Sequence, residues 1–311
     1  MDSHGAPAAA IDVGTNTVLL VIGRARGDGE LEVLEDHSRT PRLGEGLART
    51  GRLSEEAVGR ALAVLAEYRD RLAARGVPAA RVRAVGTACL RRAANPELLI
   101  DRAWSELGLA VEVLPEEEEG RLGYLAVTGG KGGDTLVVDV GGGSTEVVSD
   151  GGRSLLSAPV GAVVLTETYL GLGGSPPLRG GGWRALRATA EEACARFPAG
   201  AAREGGSPRP VVALGGTACN LACLEQGLAA FDPAAAEGAR VAGPRVAEWA
   251  ERLNRTPLAE RRALPIEADR AAVLPAGLAC LAAAVQRLGA RELQVSGRGL
   301  RYGVLRAVIE F

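Results

Sequence analysis

Residues 134–149 read Asp-Thr-Leu-Val-Val-Asp-Val-Gly-Gly-Gly-Ser-Thr-Glu-Val-Val-Ser. An apolar run from Leu136 to Val138 ends at Asp139, a glycine-rich turn follows, and Val147 and Val148 resume the apolar pattern. Strand, glycine turn and strand in this order are typical of a β-hairpin. The simplest interpretation of the stretch is therefore a tight hairpin with a flexible tip.

The turn of this hairpin also has the composition of an anion site. Glycines lack Cβ atoms, so their N–H groups can approach a ligand closely and converge on it. Ser144 and Thr145 add neutral donors, whereas Asp139 and Glu146 add carboxylates that would repel a phosphate. A divalent cation removes that repulsion, and Mg²⁺ prefers such oxygen ligands. The second interpretation is therefore a site for Mg²⁺ and phosphate, built around the glycines Gly141, Gly142 and Gly143.

The pattern occurs elsewhere in the chain. Residues 10–17 read Ala-Ile-Asp-Val-Gly-Thr-Asn-Thr, so Asp-Val-Gly is found at Asp12 as it is at Asp139. Such an internal repeat predicts two similar halves facing each other, each with a phosphate-binding turn. A third strand, Val211–Leu214, leads into a glycine turn that suits either a phosphate or nucleotide contact or close packing. The residues of that turn are Gly215, Gly216 and Thr217.

An acidic run, Glu116 to Glu119, follows Pro115. Proline and glutamates are favoured in the first turn of a helix, where they complement the helix dipole, and this structural interpretation is a strong one. In the functional interpretation, one glutamate points into an interdomain cleft and acts as a general base, because neighbouring carboxylates can raise its pKa. Both interpretations stay open at this point.

Length and glycine content divide the chain into two domains. The 311 residues suffice for two ordinary domains, and a glycine-rich segment at residues 128–133 marks a boundary. We expect domain I over residues 1–128, with the helix at about 300–311 packing back on it, and domain II over 129–299. The low-complexity segment 171–182 is a surface insertion or a mobile flap.

Composition excludes several classes of function. A net charge of −2 gives no electrostatic case for nucleic acid or an anionic membrane. Only one basic residue is a lysine, Lys131, so arginines must supply any cationic contact with an anionic substrate. The five cysteines have no metal-type pairing, and we expect small buried thiols in a reduced, cytoplasmic protein. We see no signal peptide and no apolar run long enough for a membrane span.

Several stretches together resemble one family, the exopolyphosphatase and guanosine pentaphosphate phosphatase family. The resemblance covers about residues 9–308, and its most specific part is the central hairpin with an acidic run upstream. The resemblance implies the two-domain α/β fold of actin, which is ribonuclease H-like, with mixed sheets flanked by helices and an active site in the interdomain cleft. The matching stretches are residues 10–17, 42–46, 85–91, 117–122, 138–146 and 212–217.

The resemblance also implies roles for individual residues. Glu119 stands directly before Gly-Arg-Leu, where the family places its catalytic base, and Arg91 matches an arginine that contacts substrate phosphates. Asp139 and Glu146 match carboxylates that hold the divalent ion or the attacking water. The phosphate-binding turns are matched by Asp12, Gly14, Thr15, Asn16, Gly141, Gly142, Gly143, Ser144 and Thr145. We expect Mg²⁺ or another divalent cation, with K⁺ as a second ion, and a homodimer.

One segment departs from the family pattern. The family usually has Ser-Asp-x-x-Leu-Arg-Glu-Gly near the C-terminus, whereas this chain has Gly297 and Tyr302 at the two acidic positions. The expected reaction is hydrolysis of a terminal phosphoanhydride bond of inorganic polyphosphate. The first alternative is hydrolysis of guanosine pentaphosphate. A kinase or ATPase of the same fold and a non-hydrolysing alarmone or nucleotide sensor are the other two.

Overall fold

A computed structural model describes residues 5–27, 30–129, 133–170, 181–202 and 208–310. The chain forms two compact units. Unit 1 consists of Met1–Ala126 and Leu300–Phe311, and unit 2 is Val127–Gly299. Lys131 and most of the segment 171–182 lie outside the described residues, and so does the tip of the predicted turn at residues 27–29.

Unit 1 contains a five-stranded mixed sheet. Its strands are β1 (Ala8–Val13), β2 (Val18–Ala25), β3 (Leu31–Arg39), β4 (Val82–Gly86) and β5 (Val111–Val113). The order across the sheet is β3-β2-β1-β4-β5. β1 and β2 form a hairpin and β3 continues it antiparallel, whereas β4 and β5 run parallel to β1. The turn after β1 and the carboxyl end of β4 therefore lie at the same edge of the sheet.

Alternating residues of β1 and β2 are buried on opposite faces of this sheet, as the two-residue period of a strand requires. Ile11 and Leu20 belong to the core on one face, whereas Ala10 and Val21 belong to the core on the other. The helices of unit 1 are α1 (Leu47–Thr50), α2 (Glu55–Ala74), α3 (Ala88–Arg92), α4 (Glu97–Leu107), α5 (Glu116–Thr128, which runs across the unit boundary) and α13 (Leu300–Glu310).

α13 packs on β1, β2 and β4 although it follows all of unit 2 in the chain. It approaches α5 so closely that a Cβ on Gly303 would lie 1.9 Å from the carbonyl oxygen of Leu122. Only glycine allows this approach. α2 begins as the sequence predicts, because the Ser54 side chain accepts a hydrogen bond from the Ala57 N–H.

Unit 2 contains a six-stranded mixed sheet. Its strands are β6 (Leu136–Val140), β7 (Thr145–Ser149), β8 (Ser154–Ala158), β9 (Val211–Leu214), β10 (Arg240–Ala242) and β11 (Glu292–Ser296). The order is β10-β11-β9-β6-β7-β8, with β6, β9 and β11 mutually parallel. β10 is a short strand with one buried residue, Val241, and was not predicted from the sequence.

The helices of unit 2 surround α12, which is almost fully buried because small and aliphatic residues occur on all its sides. α12 contacts four other helices and β6. The helices are α6 (Ala162–Tyr169), α7 (Gly181–Cys194), α8 (Gly215–Glu225), α9 (Pro233–Ala236), α10 (Gly243–Arg255), α11 (Leu258–Arg261) and α12 (Leu274–Leu288).

The two sheets are built alike, so the part of the internal-repeat prediction that concerns two similar halves is confirmed. β1, β2, β3 and β4 correspond to β6, β7, β8 and β9 in strand order and direction. The α/β class with mixed sheets flanked by helices is also confirmed. Within the described residues, no helix combines the length and hydropathy that a membrane span requires.

All five cysteines are buried and free, as predicted. Burial raises the pKa of the Cys194 and Cys280 thiols to about 12, so neither is a thiolate at neutral pH.

Candidate functional site

The turn between β6 and β7 consists of residues 141–144. The Gly141 N–H donates to the Ser144 carbonyl oxygen at 3.0 Å and closes the turn. The Gly141 and Gly142 carbonyls then accept hydrogen bonds from the first N–H groups of α6, from Ala162 at 2.9 Å and from Val163 at 2.9 Å. The turn therefore satisfies donors at the start of α6 that have no partner within the helix.

This arrangement determines where the turn directs its amides. A trans peptide points its C=O and the following N–H in opposite directions. Since the Gly141 and Gly142 carbonyls point at α6, the N–H groups of Gly142 and Gly143 are directed away from that helix. The structure thus gives a physical reason for the anion-site interpretation of this turn.

Gly161 is a residue of this site that sequence analysis did not single out. A Cβ at this position would lie 2.7 Å from the Gly141 carbonyl oxygen and from the Gly142 carbonyl group. Glycine is required because the turn and the start of α6 occupy that space. The only sequence signal was a glycine just before an apolar helical segment.

The hydroxyl groups of two predicted phosphate ligands are used inside the protein. The Thr145 side chain is fully buried, and its Oγ1 donates to the Val160 carbonyl at 2.7 Å. Thr217 is also buried, and its Oγ1 donates to the Val140 carbonyl at 3.3 Å. These hydroxyls therefore stabilise the two turns. That Thr145 or Thr217 contacts phosphate stays a prediction. Because each hydroxyl already donates within the protein, such a contact would have to come from the backbone N–H. Ser144 is buried in the same turn.

Asp139 and Glu146 are partners across the β6–β7 hairpin. Directly opposed residues in an antiparallel pair have side chains on the same face, about 5 Å apart at Cβ, where two negative charges destabilise the sheet. Glu146 is 8% exposed and accepts a hydrogen bond from the Ser157 hydroxyl at 3.2 Å. Gly215, the first residue of α8 with φ of 80°, lies so close to Asp139 that a Cβ on it would be 3.3 Å from Oδ1 of that side chain.

The donor set of this pair fits Mg²⁺. Over the described residues, no group of three or more His, Cys, Asp or Glu side chains is arranged to hold a metal ion. Mg²⁺ does not need such a cage, because it usually binds one or two protein carboxylates together with substrate phosphates and water. Two opposed carboxylates beside a phosphate-type turn provide that set, and a cation would remove their repulsion.

The third glycine turn opens α8 and is covered by an arginine. A Cβ on Gly216 would lie 2.2 Å from Cζ of Arg270, so the guanidinium packs directly on the glycine. Arg270 also forms an ion pair with Glu267. Asn220 joins these elements, because its Nδ2 donates to the Gly216 carbonyl at 2.7 Å and its Oδ1 accepts from the Glu267 N–H at 2.7 Å. Sequence analysis did not identify Arg270, which is distant from the turn in the chain.

The equivalent turn of unit 1 consists of residues 14–17. The Gly14 N–H donates to the Thr17 carbonyl at 3.0 Å, in the same way as at Gly141. Asp12 lies at the position of Asp139, but its cross-strand partner is Leu19 rather than a second acid. Thr15 and Asn16 are buried within the turn. The carboxylate pair is therefore a property of the unit 2 turn alone.

A second group of site residues follows β4 and β5. Arg91 lies in α3, and its Nη1 donates to the Leu114 carbonyl at 2.9 Å and to Oε2 of Glu119 at 2.6 Å. Its Nη2 is buried without a hydrogen-bond partner among the described residues, although Glu116 lies 3.5 Å away. The predicted base and the predicted substrate arginine of unit 1 are thus paired with each other.

Among the four consecutive glutamates, Glu119 has a distinct environment. Its side chain is 20% exposed, against 48% for Glu116. Glu118 forms a bidentate ion pair with Arg121 on the helix surface. Burial raises the pKa of Glu119, and Arg91 offsets this only in part. All four residues also lie in the first turn of α5, so the structural interpretation of the acidic run holds as well.

The family model described as the Ppx/GppA phosphatase family matches residues 21–310 of this chain. The match includes most of both units. The chain belongs to this family. It is 35% identical to exopolyphosphatase 2 of Mycobacterium tuberculosis over 303 residues, which span 92% of this chain and 90% of that protein.

Other Ppx/GppA relatives differ in how much of their own length the chain covers. The chain is 40% identical to the guanosine-5'-triphosphate,3'-diphosphate pyrophosphatase of Photobacterium profundum over 166 residues, which span 52% of this chain but only 33% of that protein. The crystal structure of the Aquifex aeolicus Ppx/GppA family member superposes with a TM-score of 0.78 at 33% identity, covering 98% of this chain and 97% of that one. The fold is therefore the actin-like two-domain fold of the Ppx/GppA family.

At both departures from the Ppx/GppA pattern, an acid from a distant segment contacts the residues present. At Gly297, the carboxylate of Glu237 accepts hydrogen bonds from the Gly297 N–H at 2.7 Å and from the Ser296 hydroxyl at 3.0 Å. A Cβ on Gly297 would lie 3.7 Å from that carboxylate. An acid from another segment thus lies where the aspartate is missing.

At the second position, the Tyr302 hydroxyl donates to Oδ2 of Asp36 at 2.7 Å. Arg301 forms a bidentate ion pair with the same carboxylate at 2.9 and 2.8 Å. Arg301, which precedes the position of the missing glutamate, is therefore paired with an acid on β3, Asp36.

Proposed function

We propose that this protein hydrolyses the terminal phosphoanhydride bond of inorganic polyphosphate and releases orthophosphate. The observation that carries the proposal is the paired, half-buried Glu119. Its carboxylate is held by Arg91 at 2.6 Å, and burial raises its pKa towards the range in which a general base works best.

In this mechanism, Glu119 orients a water molecule and accepts a proton from it as the water attacks the terminal phosphorus. Arg91 has two functions. Its Nη1 fixes the carboxylate. Its Nη2 makes no hydrogen bond within the described residues and only a 3.5 Å ion pair with the exposed Glu116, so it is a donor for a phosphate oxygen. A guanidinium suits this task because its donors form a rigid fork.

The glycine turns bind the remaining phosphate charge. The Gly142 amide is directed away from α6 and supplies a neutral donor that needs no rearrangement during the reaction. Asp139 and Glu146 would hold Mg²⁺. When bound, that ion would neutralise phosphate oxygens and polarise the bond that breaks.

Coverage of the relatives favours polyphosphate over guanosine pentaphosphate as the substrate. The chain aligns with nearly all of exopolyphosphatase 2, whereas it aligns with a third of the pyrophosphatase. The higher local identity to the pyrophosphatase, 40% against 35%, keeps guanosine pentaphosphate as the second candidate. Both substrates use the same glycine turns and the same base.

The test is phosphate release with Mg²⁺ from short polyphosphate, long polyphosphate, guanosine pentaphosphate and ATP, measured in parallel. We expect release from polyphosphate, and a loss of about 10²–10⁴ in kcat for Glu119→Gln. Glu118→Gln is the matched control, because it removes a neighbouring carboxylate whose partner is the surface residue Arg121.

The outcomes separate the candidates. Release only from guanosine pentaphosphate would establish the second candidate instead. Turnover by Glu119→Gln close to that of the unaltered protein would refute the assignment of the base. Nucleotide binding without release from any of the four substrates would indicate a sensor.

A further inference from the structure

Arg42 has an unusual backbone conformation. Its φ is 55°, and among the described residues other than glycine only Asp150, with φ of 52°, shares this left-handed region. An arginine there is strained relative to glycine or asparagine, which adopt the region readily. Strain of this kind persists only where surrounding contacts impose it, and it is often associated with function.

The contacts that impose it come from the phosphate-type turn of unit 1. The Arg42 N–H donates to the Asn16 carbonyl at 3.0 Å, and the Gly44 N–H donates to the Thr15 carbonyl at 2.8 Å. A Cβ on Gly44 would lie 2.3 Å from Cγ2 of Thr15, so the two segments are in close contact. The segment 42–44 is therefore attached to the turn along its backbone.

The Arg42 guanidinium differs from those of neighbouring arginines in its partners. Neighbouring arginines have acid partners: Arg39 pairs bidentately with Glu67 at 3.1 and 2.8 Å, and Arg60 pairs with Glu45 at 2.6 Å. Throughout the described ranges, no carboxylate or other acceptor receives the Arg42 guanidinium. This half-buried cation is available for a ligand.

A second donor without a hydrogen-bond partner belongs to Asn16, whose carbonyl oxygen accepts from the Arg42 N–H. Asn16 is 6% exposed, and its Nδ2 is buried without a hydrogen bond in the part of the chain that the structure describes. An unmade hydrogen bond at a buried donor is costly, so such a group calls for a partner from outside the protein, such as water or a ligand. The side-chain amide of Asn16 and the guanidinium of Arg42 are both hydrogen-bond donors, so together they suit an anionic oxygen as the acceptor.

Strand positions determine which part of the substrate these donors meet. The turn 14–17 joins β1 and β2, whereas Arg91 follows β4 on the other side of β1. Neighbouring strands are about 4.8 Å apart, so the β2 side of the turn lies roughly 10 Å from β4 along one sheet edge. A linear polyphosphate is long enough to contact both places.

We propose that Arg42 and Asn16 bind a phosphate group of the substrate several positions away from the one that is hydrolysed. The inference rests on the proposed function, because it assumes a polyanionic substrate. The strain at Arg42 then has a physical reason, since the backbone contacts that impose it hold this arginine next to the turn. The contact makes the enzyme favour substrates with several linked phosphates.

The test uses Arg42→Gly, with Asp150→Gly as the matched control. Both substitutions relieve the same backbone strain, and Asp150 lies in the connection between β7 and β8, away from every residue assigned to the site. The KM and kcat of each variant are measured with tripolyphosphate and with longer polyphosphate of defined length, and thermal unfolding is recorded alongside.

Arg42→Gly should raise KM for the longer chain by about tenfold, more than it lowers kcat, because it removes a charge-assisted hydrogen bond. It should raise KM for tripolyphosphate less. Both glycine variants should unfold at the same temperature as the unaltered protein or higher. Arg42→Lys keeps the positive charge but lacks the forked donors of a guanidinium. Its KM for the longer chain should lie between those of the unaltered protein and Arg42→Gly.

Equal KM values for Arg42→Gly and Asp150→Gly with every substrate would overturn the distal contact while leaving the proposed function intact. If the unaltered protein hydrolyses none of these polyphosphates, the proposed function fails and the inference fails with it.

Discussion

Gly161→Ala tests how closely the glycine turn depends on α6. The added methyl group would lie 2.7 Å from three atoms of the Gly141 and Gly142 carbonyls. The turn must move away by about 0.7 Å to restore ordinary van der Waals contact. Three hydrogen bonds connect these carbonyls with α6, at 2.9, 2.9 and 3.1 Å, and all three lengthen when the turn moves.

Two magnitudes follow from this geometry. Overpacking of this kind costs about 1–3 kcal/mol of unfolding free energy. Displacing a phosphate-binding group by up to 1 Å can reduce turnover by as much as about 10²-fold. We therefore expect a clear loss of kcat in a protein that is still folded.

The assay combines urea denaturation with kcat on polyphosphate. Gly59→Ala is the control, because Gly59 lies within α2 with no atom within 4 Å of its Cβ position, and alanine there should add up to about 1 kcal/mol of stability. Unchanged stability and turnover in Gly161→Ala would show that the turn is not held by α6 as described.

Two further predictions concern unit 1. Plotted against pH, kcat/KM should decrease as the pH is lowered, because Glu119 must be ionised to act as a base. The midpoint of this acid limb should lie above the usual pKa of glutamate, because burial raises the pKa of Glu119. Arg91→Met should move this limb to still higher pH, since Arg91 lowers that pKa, and a limb that stays in place would contradict the pairing. Tyr302→Phe removes the donor to Asp36 and should lower the unfolding free energy by about 1–2 kcal/mol in urea, with kcat unchanged. An unaltered urea midpoint would exclude a stabilising role for the Tyr302 hydroxyl.

Local features of this fold could be predicted from the sequence. An apolar strand followed by Asp-Val-Gly predicts a tight turn from the local sequence alone. Both hairpins and the repeat were therefore identified from a few residues. The start of α2 was equally local, because Ser54 caps it. β10 was missed because three residues with one buried side chain carry no periodicity.

Contacts between distant segments could not be predicted in this way. Nothing near Glu119 in the chain indicates that Arg91 binds it, and nothing near Gly216 indicates that Arg270 covers it. The strain at Arg42 was also invisible, because arginine is not a residue that signals positive φ. These features depend on which strands become neighbours, and that is a property of the whole sheet.

The position of α13 has a consequence for the synthesis of the protein. Leu300, Val304 and Leu305 cover the face of the first sheet that includes Ala10 and Val21. Translation reaches these residues only after all of unit 2, which is continuous in the chain. On the ribosome, unit 1 therefore leaves this apolar sheet face uncovered throughout the synthesis of unit 2. During that interval the exposed face is prone to aggregation and is a binding site for a chaperone, and it is covered only once α13 has emerged and packed on the sheet.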